Sequence, residues 1–571
     1  MGIAPTEAAF WRAVSADAEL AALGGMRPAR RGREIPCPRR GDRESCPRVT
    51  RTAANVSNQR SPLVSISPIL ISFPRPMTLT RIRRLLAAMW LAAAAVPALL
   101  AAQIPAAEYA ARREALLARV DSGVVIAFGG VEPVTHWPPF SQLPSFLYLT
   151  GFEEPDAVLV LAKRGGTTTS RLFLRPRNPR REQFSGPRVG PAESREATGI
   201  PGAPIAGLMA SVDSLVGAGL PLLVVSDVHT SDFAEEDSLT RGSRFVETLR
   251  LARPNVRVAN VDEVVLQLRA RKSATEAALL RRAVEISAAG HREAMRAMAP
   301  GCNEGEIQAV MEATWRRMGG ERPGYGSIVG SGPNALALHY DRNDRVMSSG
   351  EVVVIDASTA FHHYSADITR TLPVSGRFTP DQRAIYQIVL EAQAAFVRQI
   401  RPGSAEATSS DSGRAVVEAG LARLGLIEAP GATYDGERCP AGGCTQVSLY
   451  AWHRYGGHGI GLEVHDPAQY YFGSRTFQPG DIFTVEPGIY ITPAMLDRLS
   501  DTPRNRALAA RLRPVMQRYQ NIGVRIEDDY WVTQTGVEWL SSGVPRDADS
   551  VESLMTEPSP LPGGQCGATG R

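Results

Sequence analysis

Five residues of the kinds that bind divalent metals are spread over the C-terminal half of this 571-residue chain. They are Asp356, Asp367, His458, Glu486 and Glu527. Four carboxylates and one imidazole form an oxygen-rich ligand set, which suits Mn, Fe, Co or Zn in a catalytic pair better than a structural zinc site. The residue types therefore point to a metal-dependent hydrolase.

Taken one at a time, these residues have ordinary explanations. An Asp after an apolar strand commonly closes a turn or caps a helix, and a His in a Gly-rich segment commonly lies in a loop. An ionised carboxylate at the end of a buried strand is nevertheless costly unless it is paired, hydrogen-bonded or bound to metal. The chain has only two lysines, so arginine and metal are the main partners left for four such carboxylates.

The segments around these residues read as strand ends. Asp356 ends EVVVIDAS, and Asp367 opens DITRT 11 residues later. His458 lies in GGHGIGLEVHD, Glu486 in FTVEPG and Glu527 in GVRIEDD. The order Asp, Asp, His, Glu, Glu and the spacing of the two aspartates are similar to those of the pita-bread metallopeptidases.

Longer strings resemble one family of this group, aminopeptidase P (Xaa-Pro aminopeptidase). The strings are SIVGSGPNALALHYDRN, VVVIDASTAFHHYSADITRTLPVSG, HGIGLEVHD, TVEPGIYI and GVRIEDDYWVT. SFLYLTGFEEPDAVLVL resembles the non-catalytic N-terminal domain of the same family. The resemblance covers about residues 108–557.

The resemblance implies that the five residues hold two divalent ions, usually manganese, with Co, Zn or Fe as alternatives, and a bridging hydroxide. It also implies release of the N-terminal residue from peptides with proline in the second position. Two dications acidify a bound water and polarise the peptide carbonyl, which is the chemistry that this reaction needs. Glu486 would then act both as a ligand and as a proton shuttle to the leaving nitrogen.

Three further residues match active-site positions of the family. His339, in LALHY, matches a histidine that contacts substrate near the scissile bond, and His465, in LEVHD, matches a second active-site histidine. Both would stabilise the developing oxyanion or position the substrate; ordinary polar packing is the alternative for each. Arg525 lies two residues before Glu527, so strand alternation places the two side chains on one face.

Four segments depart from the family pattern. Family members often carry a histidine four residues before the ligand histidine, where this chain has Arg454, with His453 one position earlier. Pro144 stands where relatives often have a carboxylate. Segments 434–449 and 495–520 are longer than a minimal enzyme of the family needs. These differences concern substrate preference rather than the metal centre.

Other functions share parts of this pattern. A prolidase acts on Xaa-Pro dipeptides with the same metals, and the motif details favour aminopeptidase P without deciding between the two. Methionine aminopeptidase fits less well, because an N-terminal domain and a secretion signal are foreign to it. A catalytically inactive pita-bread binding module is a further alternative, although all five ligand positions are intact here.

The expected fold is an α/β N-terminal domain followed by an α+β pita-bread catalytic domain. Short apolar strands alternate with helical stretches over residues 103–262, which predicts a sheet covered by helices. Residues 263–557 form the predicted catalytic domain. The Gly- and Pro-rich tail, 558–571, is predicted to be disordered.

Two helix starts are marked within the catalytic domain. Ser273 and Glu276 have the spacing of a capping box, which predicts a helix that ends near Pro300. Asn303 and Glu306 repeat the pattern for the next helix.

The first 102 residues have features of their own. Residues 1–76 are rich in Arg, Pro and Ser and are predicted to be disordered or a mis-assigned extension. Residues 77–102 combine a basic start at Met77 with the apolar run Leu85–Ala102, which is typical of a signal peptide; the run is also long enough for an uncleaved anchor. We therefore expect a secreted or periplasmic protein, with a membrane-anchored form as the alternative.

The charge distribution limits the partners that the chain can have. The net charge of +4 comes from residues 1–76, which contain twelve arginines and six acidic residues. The remaining chain is close to neutral, so nothing predicts binding to nucleic acid. The expected partners are peptides with penultimate proline and, by the resemblance, other copies of the chain in a homo-oligomer.

The cysteines agree with export only weakly. Cys439 and Cys444 flank PAGG in the longer loop, and in an oxidising compartment they could close a small disulfide. An unbonded pair is the alternative, and a lone C-x₄-C pair is too sparse for zinc. The sequence assigns no partner to Cys302 or Cys566.

Overall fold

The structure is a computed structural model that describes residues 103–133, 139–226, 240–436, 439, 444–450, 456–467, 475–561 and 566. The predicted extension and signal segment lie outside these ranges. Among the described residues, no helix is both long enough and apolar enough to cross a membrane.

The N-terminal part is built on a mixed sheet of six strands. They are β1 (Gly123–Phe128), β2 (Val158–Arg164), β3 (Thr167–Leu174), β4 (Gly202–Pro204), β5 (Leu222–Val225) and β6 (Val258–Asn260). Their order is β4-β3-β2-β1-β5-β6, in which β1–β2 and β2–β3 are antiparallel and the other pairs are parallel. Every residue of β1 is buried, as expected for a central strand covered on both faces.

Helices provide that cover. They are α1 (Ala106–Ala118), α2 (Pro144–Thr150), α3 (Pro179–Ser185), α4 (Ser194–Thr198), α5 (Leu208–Gly217), α6 (Arg241–Ala252) and α7 (Asp262–Arg269). Val125 and Ala127 of β1 lie in one apolar cluster with residues of α1 and α2. Val124 and Ile126 lie in another with residues of α5 and α6. The predicted α/β N-terminal domain is confirmed.

Lys163, near the end of β2, donates hydrogen bonds to carbonyls at the C-terminal end of α1. Its ammonium donates to the carbonyls of Leu117 (2.8 Å) and Val120 (2.7 Å). The last carbonyls of a helix have no partner within the helix, so a cation placed there stabilises both the helix end and its contact with the sheet. One of the two lysines in the chain is thus an internal cap.

The catalytic domain opens with two helices joined by a short turn. They are α8 (Ala274–Ala297) and α9 (Glu304–Arg317). Both predicted capping boxes are present, Ser273 with Glu276 and Asn303 with Glu306. Each box satisfies two backbone donors at a helix start, so local sequence alone sets where these helices begin.

Small antiparallel sheets carry the segments with the predicted ligands. Their strands are β7 (Arg322–Pro323), β8 (Ile328–Ser331), β9 (Val352–Asp356), β10 (Thr359–Phe361), β11 (Tyr364–Ser365), β12 (Thr369–Pro373), β13 (Thr433–Tyr434), β14 (Cys444–Thr445), β15 (Ile482–Val485), β16 (Gly488–Ile491), β17 (Ile522–Arg525), β18 (Asp528–Val532) and β19 (Val537–Trp539). β9 pairs with β8 and β12, β15 with β18, and β16 with β17. A bridge between Thr369 and Glu527 joins β12 to the β17–β18 connection. Strand ends that are far apart in sequence therefore meet.

The remaining helices are α10 (Pro380–Val397), α11 (Glu406–Arg423), α12 (Pro503–Arg518) and α13 (Ala548–Leu554). Segment 495–520, one of the two longer segments, contains two elements, a 3₁₀ turn at Pro493–Arg498 and α12. The other long segment forms the β13–β14 hairpin, and its Cys439–Cys444 disulfide is present. Asp435 accepts hydrogen bonds from Thr502 (2.7 Å) and Arg504 (3.1 Å). The two longer segments therefore pack against each other.

A second disulfide joins Cys302, in the α8–α9 turn, to Cys566 in the C-terminal tail. The sequence analysis gave neither cysteine a partner, because 264 residues separate them. Leu561 also packs against the main core of the catalytic domain. The tail that was predicted to be disordered is therefore tied to the domain at Cys566.

The contact between α8 and α9 generates a stability prediction. A Cβ on Gly290 of α8 would lie 2.1 Å from Nε1 of Trp315 on α9, whose buried ring cannot yield easily. Gly290→Ala should therefore lower the free energy of unfolding by about 1–3 kcal/mol, as overpacking does. Denaturant unfolding measures the change.

Gly207 provides a matched control for this substitution. A Cβ there would meet nothing within 4 Å, and its φ is −87°. Gly207→Ala should leave stability unchanged or slightly increased, since it only restricts the unfolded chain. Equal effects of the two substitutions would contradict the packing argument.

Candidate active site

The two predicted aspartate ligands lie on neighbouring antiparallel strands. Asp356 is the last residue of β9 and pairs with Thr369 of β12, two residues after Asp367. Both side chains are buried. The backbone N–H of Glu527 donates to the carbonyl of Thr369 (3.1 Å). Pairing of β12 on both sides thus brings three of the predicted ligands together.

β15 positions His458 and Glu486 beside these three residues. His458 lies in no regular strand, but its N–H donates to Thr484 Oγ1 (3.1 Å) and its carbonyl accepts from the Thr484 N–H (2.8 Å). Glu486 directly follows β15. The His458 Nε2 atom is 3.4 Å from Asp367 Oδ2 and 3.4 Å from Glu486 Oε1.

Three of these residues already present a metal-binding geometry. One ligand atom each of Asp367, His458 and Glu527 lies within 4.8 Å of the others, and all three residues are buried. Glu486 adjoins this group through His458, and Asp356 adjoins it through the hydroxyl of Tyr325, which contacts both aspartates. The structure therefore assembles all five residues that the sequence singled out.

The electrostatics of this cluster require positive charge. Burial, together with the neighbouring carboxylates, raises the pKa of Asp367 and of Glu527 well above the usual range. Burial raises the pKa of Glu486 to about 8, although Arg525 acts in the opposite direction. Burial and the nearby His465 lower the pKa of His458, which keeps its imidazole neutral and able to bind metal. Four carboxylates and a neutral imidazole are a donor set that fits a pair of divalent cations.

Arg525 holds one of the predicted ligands in place. Its Nη2 atom lies 2.5 Å from Asp356 Oδ2, and its Nη1 donates to the hydroxyl of Tyr490 (2.8 Å). Thr369 Oγ1 accepts from Arg525 Nε (3.2 Å) and donates to Glu527 Oε2 (2.6 Å). Arg525 and Glu527 lie on the same face, as strand alternation predicts, and Thr369 links them.

Tyr325 is a member of the site that the sequence analysis missed. Its hydroxyl lies 2.6 Å from Asp356 Oδ1 and 2.5 Å from Asp367 Oδ1. It stands in a loop between glycines, without strand or helix periodicity that would have singled it out. Gly324, directly before it, allows a close approach of the loop, since a Cβ there would lie 1.9 Å from Ser365 Oγ.

Of the two predicted active-site histidines, His465 lies beside His458. The rings of His458 and His465 have centroids 4.2 Å apart at an interplanar angle of 70°. His339 is exposed, and the carbonyl of the preceding Leu338 accepts from Arg525 Nη2 (3.4 Å), which brings its segment to the edge of the cluster. Glu304, at the start of α9, holds the segment that carries His339 through the hydroxyl of Tyr340 (2.8 Å).

Two of the departures in sequence have different outcomes. His453 and Arg454 lie outside the described residues, so the two interpretations of this departure, a loop shifted by one residue or a lost substrate contact, stay predictions. Pro144 is the first residue of α2, where its missing N–H costs no hydrogen bond. The boundaries at residues 262 and 557 also stay predictions.

Comparison with known proteins places this geometry in a family. Residues 278–534 match the model of metallopeptidase family M24, and residues 109–216 match that of the aminopeptidase P N-terminal domain. The Xaa-Pro aminopeptidase of Escherichia coli is 33% identical over 79% of this chain and 98% of its own length.

Solved structures give the same result. An aminopeptidase of Pseudomonas aeruginosa has a TM-score of 0.65 and 33% identity, over 79% of this chain and 98% of its own. A zinc-substituted E. coli aminopeptidase P in complex with product has a TM-score of 0.65 and 31% identity, over the same shares. The expected two-domain fold is thereby confirmed, and the chain belongs to metallopeptidase family M24, in its aminopeptidase P group.

Proposed function

We propose that the chain is a metal-dependent aminopeptidase that releases the N-terminal residue from peptides with proline in the second position. The observation that carries the proposal is the convergence of five ligand-type side chains in one largely buried cluster, with His465 beside it. The names of the relatives support the preference for proline. The intact ligand set argues against an inactive binding module.

Two divalent ions, which we propose to be manganese, would be held by Asp356, Asp367, His458, Glu486 and Glu527. Such ions, when bound, acidify water and polarise the scissile carbonyl. Arg525 fixes the Asp356 carboxylate through its guanidinium, and Tyr325 fixes those of Asp356 and Asp367 through its hydroxyl. The ligands are therefore oriented before any ion binds, which lowers the reorganisation that binding requires.

The remaining side chains act on the substrate. His465 and His339 donate to the oxygen on which negative charge develops, or hold the peptide beside it. Glu486 would take the proton that the attacking water loses and pass it to the nitrogen of the leaving proline.

Cation binding should be visible as stabilisation of the fold. Mn²⁺ at a hundred times its Kd should raise the free energy of unfolding by about 2.7 kcal/mol. Asp367→Asn should lose most of this gain, because it removes a carboxylate oxygen from the cluster. The metal-free variant should be at least as stable as the metal-free wild type, since one of several mutually repelling carboxylates is gone.

Denaturant unfolding with Mn²⁺ and with a chelator measures both effects. The same Mn²⁺ gain in the variant and the wild type would contradict the assignment of Asp367 as a ligand.

Activity is tested with Xaa-Pro-Yaa tripeptides beside Xaa-Pro dipeptides, using protein from Gln103 onward loaded with Mn²⁺. We expect release of the first residue from the tripeptide. His465→Ala should lower kcat on the order of 100-fold, as loss of an oxyanion donor does, while keeping the Mn²⁺ stabilisation. Asp367→Asn is the control that should lose both.

Cleavage of dipeptides alone would make the chain a prolidase. No cleavage of either substrate by Mn²⁺-loaded protein would overturn the Xaa-Pro assignment.

We also propose that the chain is exported through the segment that begins at Met77. The two disulfides support this, because such bonds persist in oxidising compartments. The intact mass of protein recovered from a Gram-negative host should correspond to a chain that starts at Gln103. A membrane-bound product that keeps residues 77–102 would favour the anchored form, and an uncleaved soluble product would overturn export.

A further inference from the structure

The turn that carries His465 is held by hydrogen bonds to the next residue, Asp466. Asp466 Oδ2 accepts from the Leu462 N–H (2.7 Å), and the Asp466 N–H donates to the Gly459 carbonyl (2.7 Å). A Cβ on Gly461 would lie 2.2 Å from Asp466 Oδ2. The path of residues 459–466 therefore depends on where the Asp466 carboxylate is held.

Two basic side chains, one at the end of α7 and one three residues after it, hold Asp466. Arg269, the last residue of α7, places Nη2 2.9 Å from Asp466 Oδ1 and 2.5 Å from Glu463 Oε2. Lys272 donates from Nζ to the Asp466 carbonyl (2.9 Å). The side chains of Arg269 and Asp466 are each only 2% exposed, so solvent screens their attraction little.

The same guanidinium reaches the N-terminal domain. Arg269 Nη1 donates to Ser145 Oγ on α2 (3.0 Å). One side chain thus contacts α2 on one side and the His465 turn on the other. The guanidinium donates to Ser145 and Glu463 while its charge faces Asp466 Oδ1, and the single ammonium of a lysine cannot reach all three.

We propose that Arg269 is a positioning residue for catalysis, which couples the N-terminal domain to the His465 turn through Asp466. Because His465 directly precedes Asp466, displacement of the Asp466 carboxylate moves the imidazole that faces His458. The inference rests on the proposed role of His465 in catalysis. It gives the N-terminal domain a part in the reaction through this contact.

A purely structural ion pair would also be buried, so a matched control is needed. Arg112 of α1 lies at the same domain boundary, with its side chain 6% exposed. Its guanidinium contacts Glu108 (2.7 Å), Glu276 (3.4 Å) and the carbonyl of Tyr148 (3.2 Å). These contacts do not include the His465 turn. Arg112→Lys therefore perturbs a buried arginine at this boundary without the proposed coupling.

The experiment compares Arg269→Lys, Asp466→Asn and Arg112→Lys with the wild type, all loaded with Mn²⁺. Asp466→Asn keeps an acceptor for Leu462 but loses the charge that faces Arg269, so it tests the coupling if Arg269→Lys fails to fold. The measurements are kcat and KM for the tripeptide, the Mn²⁺ stabilisation, and amide hydrogen exchange of peptides that span residues 459–466.

We expect kcat of Arg269→Lys and of Asp466→Asn to fall between about 10-fold and 100-fold, the range for a catalytic group displaced by about 1 Å. Hydrogen exchange at 459–466 should become faster in both, while KM and the Mn²⁺ stabilisation stay close to wild type. Arg112→Lys should lose stability but keep wild-type kcat and exchange at 459–466.

Equal kcat values in Arg269→Lys and Arg112→Lys, with unchanged exchange at 459–466, would overturn the proposal. If the wild type cleaves no Xaa-Pro peptide, the proposed function fails, and hydrogen exchange still decides whether Arg269 holds the turn.

Discussion

The burial of several carboxylates at one point is the constraint on which the rest of the catalytic domain depends. Asp356, Asp367, Glu486 and Glu527 repel one another in a largely buried region, and the fold must hold them together there. The domain does so with short antiparallel strands that pair on both sides of Thr369. Backbone pairing fixes positions that side-chain electrostatics alone would disperse.

Adjacent residues show how strictly the two faces are separated. Glu527 faces the ligand cluster, and its pKa is raised. Burial alone would also raise the pKa of Asp528, but Arg370 and Arg546 outweigh it and keep that carboxylate ionised. Strand alternation sends the two side chains to opposite faces, so that Glu527 faces the other carboxylates and Asp528 faces its arginine partners. Arg370 also donates to the Glu527 carbonyl (2.7 Å), so the paired face supports the other.

Sequence predicted most of what is local. The capping boxes, most strands of the N-terminal sheet and the five ligand-type residues are readable from short motifs, because periodicity and helix caps act over a few residues. Tyr325, the Arg269 contacts and the Cys302–Cys566 bond were missed, because each depends on tertiary contacts between distant segments. Arg269 and Asp466, for example, lie 197 positions apart, and no local pattern marks either as the partner of the other.

The two lysines of the chain make the folded protein a poor target for amine-reactive reagents. The ammonium of Lys163 is hydrogen-bonded to two carbonyls at the end of α1. Lys272, the other lysine, is buried and donates to the carbonyl of Asp466. Acylating reagents and amine cross-linkers need an accessible, unprotonated amine, so the native domains offer them almost nothing beyond the chain's α-amino group. Acylation of Lys272 consequently reports that the segment between the domains has opened.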